Sequence, residues 1–338
     1  MRPILALAIL ALAVVPLEAQ VDIGALRRRA DGGDAAASNA LGSAFASGQG
    51  VPQDFPAALH YFRRAAEAGY AEAQYNLGQM YEFGRGVQPD PRAAFADYLM
   101  AAKQGIPAAE FNVANMYGSG RGVPADRLES MVWLRLAAEA GLSQAEFNLG
   151  LDYDTGTGVA EDDGRALGLY RAAAAQGHLR AAFNLALMLE RGRGTAADPA
   201  GAAQLYRGAA LRGFGPAQVN YGLMLADGRG FEAPDPVEAY AWLSLAVENG
   251  QSPAARDSLA GSLGAGQLAA AAVRLAALRG NPAAGVPSDD VTSSAELGKL
   301  RDEIERLRRE LEVARLDRDA AERHAANLEA QLQAIQPK

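Results

Sequence analysis

The carboxylates of Glu82, Asp154 and Glu190 are the candidates for paired acid–base chemistry, because two positioned carboxylates can donate and accept a proton. They stand 72 and then 36 residues apart along the chain. A catalytic site needs different groups that converge on one point, whereas these acids recur at one position of a regular spacing. An enzyme, for example one that acts on the cell wall, is therefore the least favoured class of function.

Other catalytic and metal chemistry finds no support in the sequence. His60, His178 and His324 lie far apart and lack the short spacing of metal ligands. The chain has no cysteine, which excludes disulfides, thiolate metal sites and catalytic thiols. None of the three lysines follows a serine at the S-x-x-K spacing. We predict no catalytic residues, no cofactor and no metal.

The chain repeats with a period of 36 residues, and the structure of this repeat must position the side chains discussed above. Gly33 begins a series of glycines that continues at residues 69, 105, 141, 177 and 213, and a last one follows at Gly250. A second series consists of G-x-G tripeptides, such as Gly84-Arg85-Gly86. A fixed period in this range is typical of a solenoid, in which each repeat buries its apolar face against its neighbours.

Each repeat reads as two helices joined by a loop. From Ala71 to Phe83 the apolar residues have the i, i+3, i+4, i+7 spacing of one buried helical stripe. The G-x-G tripeptide ends this helix, since glycine adopts left-handed backbone conformations at little cost. Asp90-Pro91 begins the next helix, because aspartate caps free amides and proline suits the first helical position. Aspartate recurs at this start in every repeat, at residues 54, 90, 126, 162, 198 and 235.

Small residues recur where two helices must approach closely. Glycine or alanine occupies the same first-helix position in six repeats, at residues 42, 78, 114, 150, 186 and 222. Glycine inside a helix costs about 1 kcal/mol relative to alanine, so its recurrence predicts a tight packing contact. An asparagine column at residues 76, 112, 148, 184 and 220 predicts an internal ladder of amides that bond loop carbonyls. The alternative is a groove that bonds a peptide backbone.

These motifs together resemble the Sel-one-like repeat (SLR) family, a relative of the tetratricopeptide repeat. The resemblance rests on A-x-A-x-[FY]-N-[LV]-[GA]-x-x-Y, then G-x-G-V, D-P-x-x-A and A-A-x-x-G, and it is fullest in Ala71–Gly105 and Ala109–Gly141. It implies an all-α, right-handed superhelical solenoid of paired antiparallel helices. It also implies a protein-interaction scaffold with no fixed chemistry.

The pattern predicts the following domain organisation. Residues 20–280 form the solenoid, with a half-repeat at 22–33, six full repeats at 34–250 and a degenerate capping repeat at 251–280. Residues 281–293 have the proline, glycine and serine content of a linker. Residues 1–19 read as a secretory signal peptide, because an apolar run too short to span a bilayer follows Arg2. A retained N-terminal membrane anchor is the alternative.

The amino-acid composition limits the class of partner and indicates the cellular location of the protein. The net charge of −8 argues against nucleic acid as a partner, which would require a basic surface. Abundant alanine, glycine and arginine suggest a bacterial protein, and the signal peptide then predicts a periplasmic or secreted location. Apart from the N-terminal segment, we expect no membrane-spanning segment.

Beyond the linker the period changes from 36 to 7, and residues 294–335 read as a coiled coil. Heptad spacing predicts an apolar seam for homo-oligomerisation, with a lone solvated helix as the alternative. The seam residues are Leu297, Leu300, Ile304, Leu307, Leu311, Leu328, Leu332 and Ile335.

We expect a protein or peptide partner to bind on the concave face that the first helices line, offset from the buried stripe. The candidate residues are Tyr75, Gln79, Glu82, Phe111, Asn115, Phe147, Leu151, Asp154, Phe183, Leu187 and Glu190. The aromatic members could instead pack between first helices. The favoured function is an exported scaffold multimerised by the coiled coil. The alternative is an envelope-associated structural protein that acts mainly through the coiled coil.

Overall fold

The computed structural model describes residues 22–280. The predicted signal peptide, linker and coiled coil lie outside these described residues. Within residues 22–280 the chain forms fifteen α-helices and no strand. Contacts between Cα atoms divide the chain into two compact units at Asp126 and Arg127.

The first compact unit contains α1 to α6, and the second contains α7 to α15. The helices of the first are α1 Ile23–Asp31, α2 Ala35–Ser47, α3 Phe55–Glu67, α4 Ala71–Phe83, α5 Pro91–Ala102 and α6 Pro107–Ser119. The helices of the second are α7 Arg127–Glu139, α8 Ser143–Thr155, α9 Asp163–Ala175, α10 Leu179–Arg191, α11 Pro199–Leu211, α12 Gly215–Asp227, α13 Pro236–Glu248, α14 Ala254–Ala260 and α15 Ala265–Gly280. The all-helical prediction is confirmed.

Helix boundaries follow the predicted start and stop residues. The Asp90 carboxylate accepts hydrogen bonds from the amides of Arg92 and Ala93, which fixes the start of α5. Aspartate caps four further second helices in the same way, at residues 54, 162, 198 and 235. Gly84 ends α4 in the left-handed conformation, with φ of 65°. Side-chain caps and glycine stops therefore set the length of the helices.

The recurring small residues lie at contacts between the two helices of a repeat. A Cβ atom added to Gly78 on α4 would lie 2.7 Å from the ring of Tyr98 on α5. A Cβ atom on Gly150 of α8 would lie 3.0 Å from the ring of Tyr170 on α9. Each glycine thus admits a tyrosine ring, which explains why a helix tolerates glycine at this position.

Each compact unit has its own apolar core. In the first, Phe62 and Leu77 belong to a cluster that joins α2, α3 and α4. In the second, Tyr206, Met224 and Trp242 belong to a cluster that joins α10 to α13 and includes Leu278 of α15. The cores lie between successive helices, as expected for repeats that bury their faces against neighbours.

The buried acid Asp97 interrupts this apolar packing. Asp97 on α5 is 8% exposed, whereas the equivalent positions of later repeats carry the apolar residues Trp133, Leu169, Leu205 and Trp242. Burial raises the pKa of Asp97 from 3.8 to about 7, and the nearby guanidinium of Arg63 only partly opposes the shift. The folded state therefore holds the Asp97 proton more tightly than the unfolded chain does.

Asp97→Asn should stabilise the protein in a pH-dependent manner. The wild type loses stability as pH rises from about 4 to about 7, because only the unfolded chain ionises freely there. The neutral amide escapes this loss, so the variant should gain up to about 4 kcal/mol at pH 8 and little at pH 4. Urea unfolding at both pH values measures the gain. Asp97→Leu should show the same trend, and a difference that does not vary with pH would contradict the explanation.

Candidate protein-binding face

The three candidate carboxylates each accept a hydrogen bond from a buried tyrosine of their own repeat. The Tyr98 hydroxyl donates to Glu82 Oε2 at 2.5 Å, and the Tyr170 hydroxyl donates to Asp154 Oδ2 at 3.1 Å. The Tyr206 hydroxyl donates to a Glu190 carboxylate oxygen at 3.2 Å. In each case the acid lies on the first helix of a repeat and the tyrosine on the second.

An arginine from the loop of the following repeat completes each contact. Arg193 Nη1 lies 2.6 Å from Asp154 Oδ1. Arg121 contacts Glu82, and Arg229 contacts Glu190. We call each group of acid, tyrosine and arginine a carboxylate clip. The clip joins the two helices of one repeat to the G-x-G loop of the next, with charge-assisted hydrogen bonds.

The asparagine column contributes a fourth member to each clip. The side chains of Asn112, Asn184 and Asn220 hydrogen bond to the hydroxyls of Tyr98, Tyr170 and Tyr206 respectively. Burial raises the pKa of each of these tyrosines above its ordinary value. The predicted amide ladder is therefore internal. These three amides bond tyrosine hydroxyls of the preceding repeat and not the predicted loop carbonyls. In the other two members of the column, Asn76 donates to Asn39 Oδ1 at 3.0 Å, and Asn148 accepts from Gln144 at 3.3 Å.

Three of the six full repeats, those of Glu82, Asp154 and Glu190, carry a clip, and the repeat of α6 and α7 lacks all three clip residues. Gly118, Leu134 and Thr157 occupy the positions that carry the acid, the tyrosine and the arginine elsewhere. Arg127 Nη2 donates instead to the Thr157 carbonyl at 2.7 Å and lies 3.1 Å from Asp152 Oδ1. The acid, the tyrosine and the arginine occur together in three repeats and are absent together from this one, which is a sequence signal that could have revealed the clip.

The candidate aromatic residues pack against the clip tyrosines. The ring centroids of Tyr75 and Tyr98 are 5.7 Å apart, and those of Phe183 and Tyr206 are 5.5 Å apart. Phe147 is buried and lies 5.9 Å from the ring of Tyr170. These aromatics therefore contact second helices of their own repeats, and Phe111 is half-buried on α6.

His178 fixes the first turn of α10 next to this aromatic layer. Its Nδ1 accepts a hydrogen bond from the Ala181 amide at 3.2 Å, and its ring stacks on Phe147 at 4.6 Å. Burial, assisted by the charge of Arg180, lowers the pKa of His178. The imidazole is therefore held neutral as a helix cap. No group of three metal-ligating side chains occurs within residues 22–280.

The first helices also carry side chains that face solvent. Leu151 on α8 is 40% exposed although it is apolar. Asn115 on α6 is exposed, and Leu187 on α10 is half-exposed. Gln79 on α4 is half-exposed and donates a hydrogen bond to the Tyr75 hydroxyl at 3.0 Å. The candidate set thus divides into clip residues with their aromatic neighbours, which are engaged internally, and a smaller group available to a partner.

Paired helices, glycine-ended loops and clips between successive repeats define a helical-repeat protein. A family model described as Sel1 repeat matches residues 35–70, 71–106, 107–142, 143–178, 179–214 and 215–251. The chain belongs to the Sel1 repeat family. The resemblance predicted from the sequence is confirmed.

Two solved structures resemble the chain. The first is c5321, a protective antigen present in uropathogenic Escherichia coli strains that displays an SLR fold. It is 32% identical with a TM-score of 0.68, and the match covers 84% of this chain and 64% of c5321. The second is a Sel1 repeat protein from Oxalobacter formigenes, which is 32% identical with a TM-score of 0.57. That match covers 67% of this chain and 99% of the Oxalobacter protein.

A comparison with curated protein sequences gives no match. Sel1 repeat proteins generally act as protein-interaction scaffolds and are typically not enzymes. Across residues 22–280, no helix is long and apolar enough to cross a membrane. The chain therefore has the fold of a scaffold, and its partner surface must be sought among the exposed side chains.

Proposed function

We propose that this chain is an exported scaffold that binds a protein partner through exposed first-helix side chains and assembles through its C-terminal heptads. The apolar segment behind Arg2 supports export to the periplasm or the exterior. The repeat family supports a protein partner. The oligomeric form follows from the predicted coiled coil of residues 294–335.

The binding proposal rests mainly on the exposure of Leu151, which lies beside clip residues whose side chains are held in place by hydrogen bonds. Asp154, one turn further along α8, is held by Tyr170 and Arg193 and has no need of an external partner. Leu151 has its apolar side chain in water, where contact with a partner would be favourable. A rigid layer beneath an exposed apolar residue lowers the entropy lost on binding.

Leu151→Glu should abolish capture of the partner. Full-length protein used as bait with an envelope extract of the native organism should retain a partner that the variant loses, because the charge would be desolvated in the interface. Gln204→Glu is the control, since it places the same charge on an exposed second-helix position of the same compact unit. Helical circular dichroism should be unchanged in both variants. Equal capture by wild type and Leu151→Glu would contradict the proposal.

The same experiment separates the scaffold from the alternative envelope-associated structural protein. Deletion of residues 294–338 should leave binding through the first helices intact in a scaffold. A structural protein that acts mainly through its coiled coil would lose its partner on this deletion and be insensitive to Leu151→Glu.

Leu307→Asp combined with Leu311→Asp should convert an oligomer to a monomer. A buried heptad seam cannot accommodate unpaired carboxylates, so the expected oligomer, a homodimer or trimer, should dissociate. Light scattering of the full-length proteins at equal concentration measures the change. Leu307→Ile together with Leu311→Ile is the control that keeps the seam apolar. A monomeric wild type at tens of micromolar would refute assembly through the heptads.

A further inference from the structure

The two ends of the described chain differ in the chemistry of their outward surfaces. α1 turns Arg27, Arg28 and Arg29 towards solvent. A terminal repeat needs such a polar outer face to stay soluble, because it has no further repeat to cover it. α15, at the other end, has no charged side chain on its outer face.

The charged side chains of α15 are directed at α13. Arg274 pairs with Glu238, which also accepts a hydrogen bond from the Trp242 indole at 2.8 Å. Arg279 Nε donates to Glu248 at 3.0 Å. Both arginines are therefore used within the terminal repeat, and neither covers the outer side of the helix.

An uncharged surface remains on the outer side of α15. It consists of Ala269, Ala272, Val273 and Ala276, which share the i, i+3, i+4, i+7 spacing of one helical face. All four are exposed, and the Val273 side chain is 73% exposed. We call these four residues the terminal face. A groove of ≈ 400 Å³ between α13 and α15 adjoins it. Val237 and Val273 line the groove together with the charged residues Asp235, Glu238 and Arg274.

We propose that the terminal face packs against the terminal face of a second copy of this chain within the homodimer. The inference rests on the assembly described under Proposed function. The terminal face carries no charge, so two copies can meet about a twofold axis without repulsion. Its small side chains permit a short distance between the two helix axes.

The position of α15 in the chain favours this partner. α15 ends at Gly280, and the predicted linker 281–293 joins it directly to the heptads. A flexible linker of that length has a mean end-to-end distance of about 20 Å. A parallel pair of heptads would therefore hold two α15 helices at an effective concentration in the millimolar range.

The size of the terminal face explains why the heptads are needed. Four small side chains cannot supply the roughly 800 Å² per partner that a stable interface usually buries. The contact should therefore form only in the tethered dimer. Loss of the heptad seam should separate the two terminal faces as well.

Cysteine cross-linking tests the contact, since the chain has no cysteine of its own. Val273→Cys in the full-length protein should form an intermolecular disulfide under mild oxidation. Ser258→Cys is the control, because Ser258 is exposed on α14 of the same terminal repeat but lies off the terminal face. The tether gives both cysteines the same millimolar effective concentration, but only Val273 would lie in the contact between docked faces, so we expect cross-linking of Val273→Cys to be at least about 10-fold faster.

A second measurement avoids any effect of the introduced cysteine. Val273→Glu should leave the dimer intact in light scattering, because the heptads are unchanged, yet raise amide hydrogen exchange throughout α15. Leu307→Asp with Leu311→Asp should raise exchange in α15 to the same degree. Arg28→Glu on α1 is the control substitution and should leave exchange in α15 unchanged.

The outcomes distinguish this inference from the proposed assembly. A wild-type dimer in which Val273→Cys cross-links no faster than Ser258→Cys would overturn the terminal contact and leave assembly through the heptads standing. Unchanged exchange in Val273→Glu would overturn it in the same way. A wild-type monomer would overturn both proposals.

Discussion

Gly122→Ala should lower the free energy of unfolding by about 2–4 kcal/mol, although it adds only one methyl group. Gly122 has φ of 77°, where a Cβ atom costs about 1–2 kcal/mol. The added Cβ would also lie 2.1 Å from the Pro91 carbonyl oxygen at the start of α5. The position of a Cβ atom is fixed by the backbone and the oxygen is itself a backbone atom, so rotation of a side chain cannot relieve this contact.

Gly105→Ala is the matched control for this prediction. Gly105 has φ of 81°, but an added Cβ would meet nothing within 4 Å. Gly105→Ala should therefore lower the free energy of unfolding only by the cost of placing a Cβ atom in the left-handed conformation, about 1–2 kcal/mol. Urea unfolding gives the two free energies, and hydrogen exchange at the start of α5 shows where the structure loosens. Equal effects of the two substitutions would mean that the loop relaxes away from Pro91.

Gly150→Leu should destabilise the repeats around α8 and α9 by about 1–3 kcal/mol through overpacking, and by more if the clip breaks. The Cβ would lie 3.0 Å from the Tyr170 ring, and the rest of the leucine side chain must enter the same space. Displacement of Tyr170 would remove its hydrogen bond to Asp154, which in turn holds Arg193. The damage should therefore extend from α8 and α9 to the loop after α10.

Gly208→Leu is the control for Gly150→Leu. Gly208 also lies inside a helix, α11, but an added Cβ would meet no atom within 4 Å. Leucine there should be neutral or stabilise the helix by up to about 1 kcal/mol, because glycine is a poor helix former. Hydrogen exchange resolved by peptide measures both variants. Unchanged protection in α8 and α9 of Gly150→Leu would show that the tyrosine contact has little effect on stability.

The carboxylate clips give the candidate acids a structural role. An acid that already accepts hydrogen bonds from a tyrosine and an arginine has little capacity left for a substrate or a partner. Glu82, Asp154 and Glu190 therefore position the repeats, and the exposed residues next to them remain the better candidates for contact. This division agrees with the general role of Sel1 repeat proteins as interaction scaffolds.

Local sequence determined the helices and their boundaries. Asp90, Pro91 and Gly84 act within a few residues of themselves, so their effects could be predicted from the chain alone. Glycine at positions 78 and 150 predicted a close contact between helices. Glycine destabilises a helix interior, so its recurrence there indicates that favourable packing offsets this cost. The family followed from the same repeated local signals.

The residues that pair in each carboxylate clip were determined by the tertiary structure and could not be predicted from the local sequence. Each clip joins an acid to a tyrosine 16 residues later and to an arginine 39 residues later, as in Asp154, Tyr170 and Arg193. No local propensity specifies such pairs, since the three residues lie on three different segments. The sequence therefore placed Asp154 on the candidate binding face, whereas the fold pairs it with Tyr170 and Arg193.

Burial was likewise decided by neighbouring helices. Phe147 and Leu151 lie one turn apart on α8, and both were candidates for partner contact on sequence grounds. Tyr170 and His178 cover Phe147, while Leu151 remains 40% exposed. Helical periodicity assigns residues to a face of their own helix, but only the packed neighbours determine which part of that face is covered. The uncharged outer side of α15 could not be predicted from the sequence for the same reason. Only the packed structure shows that the arginines of α15 pair with glutamates of α13.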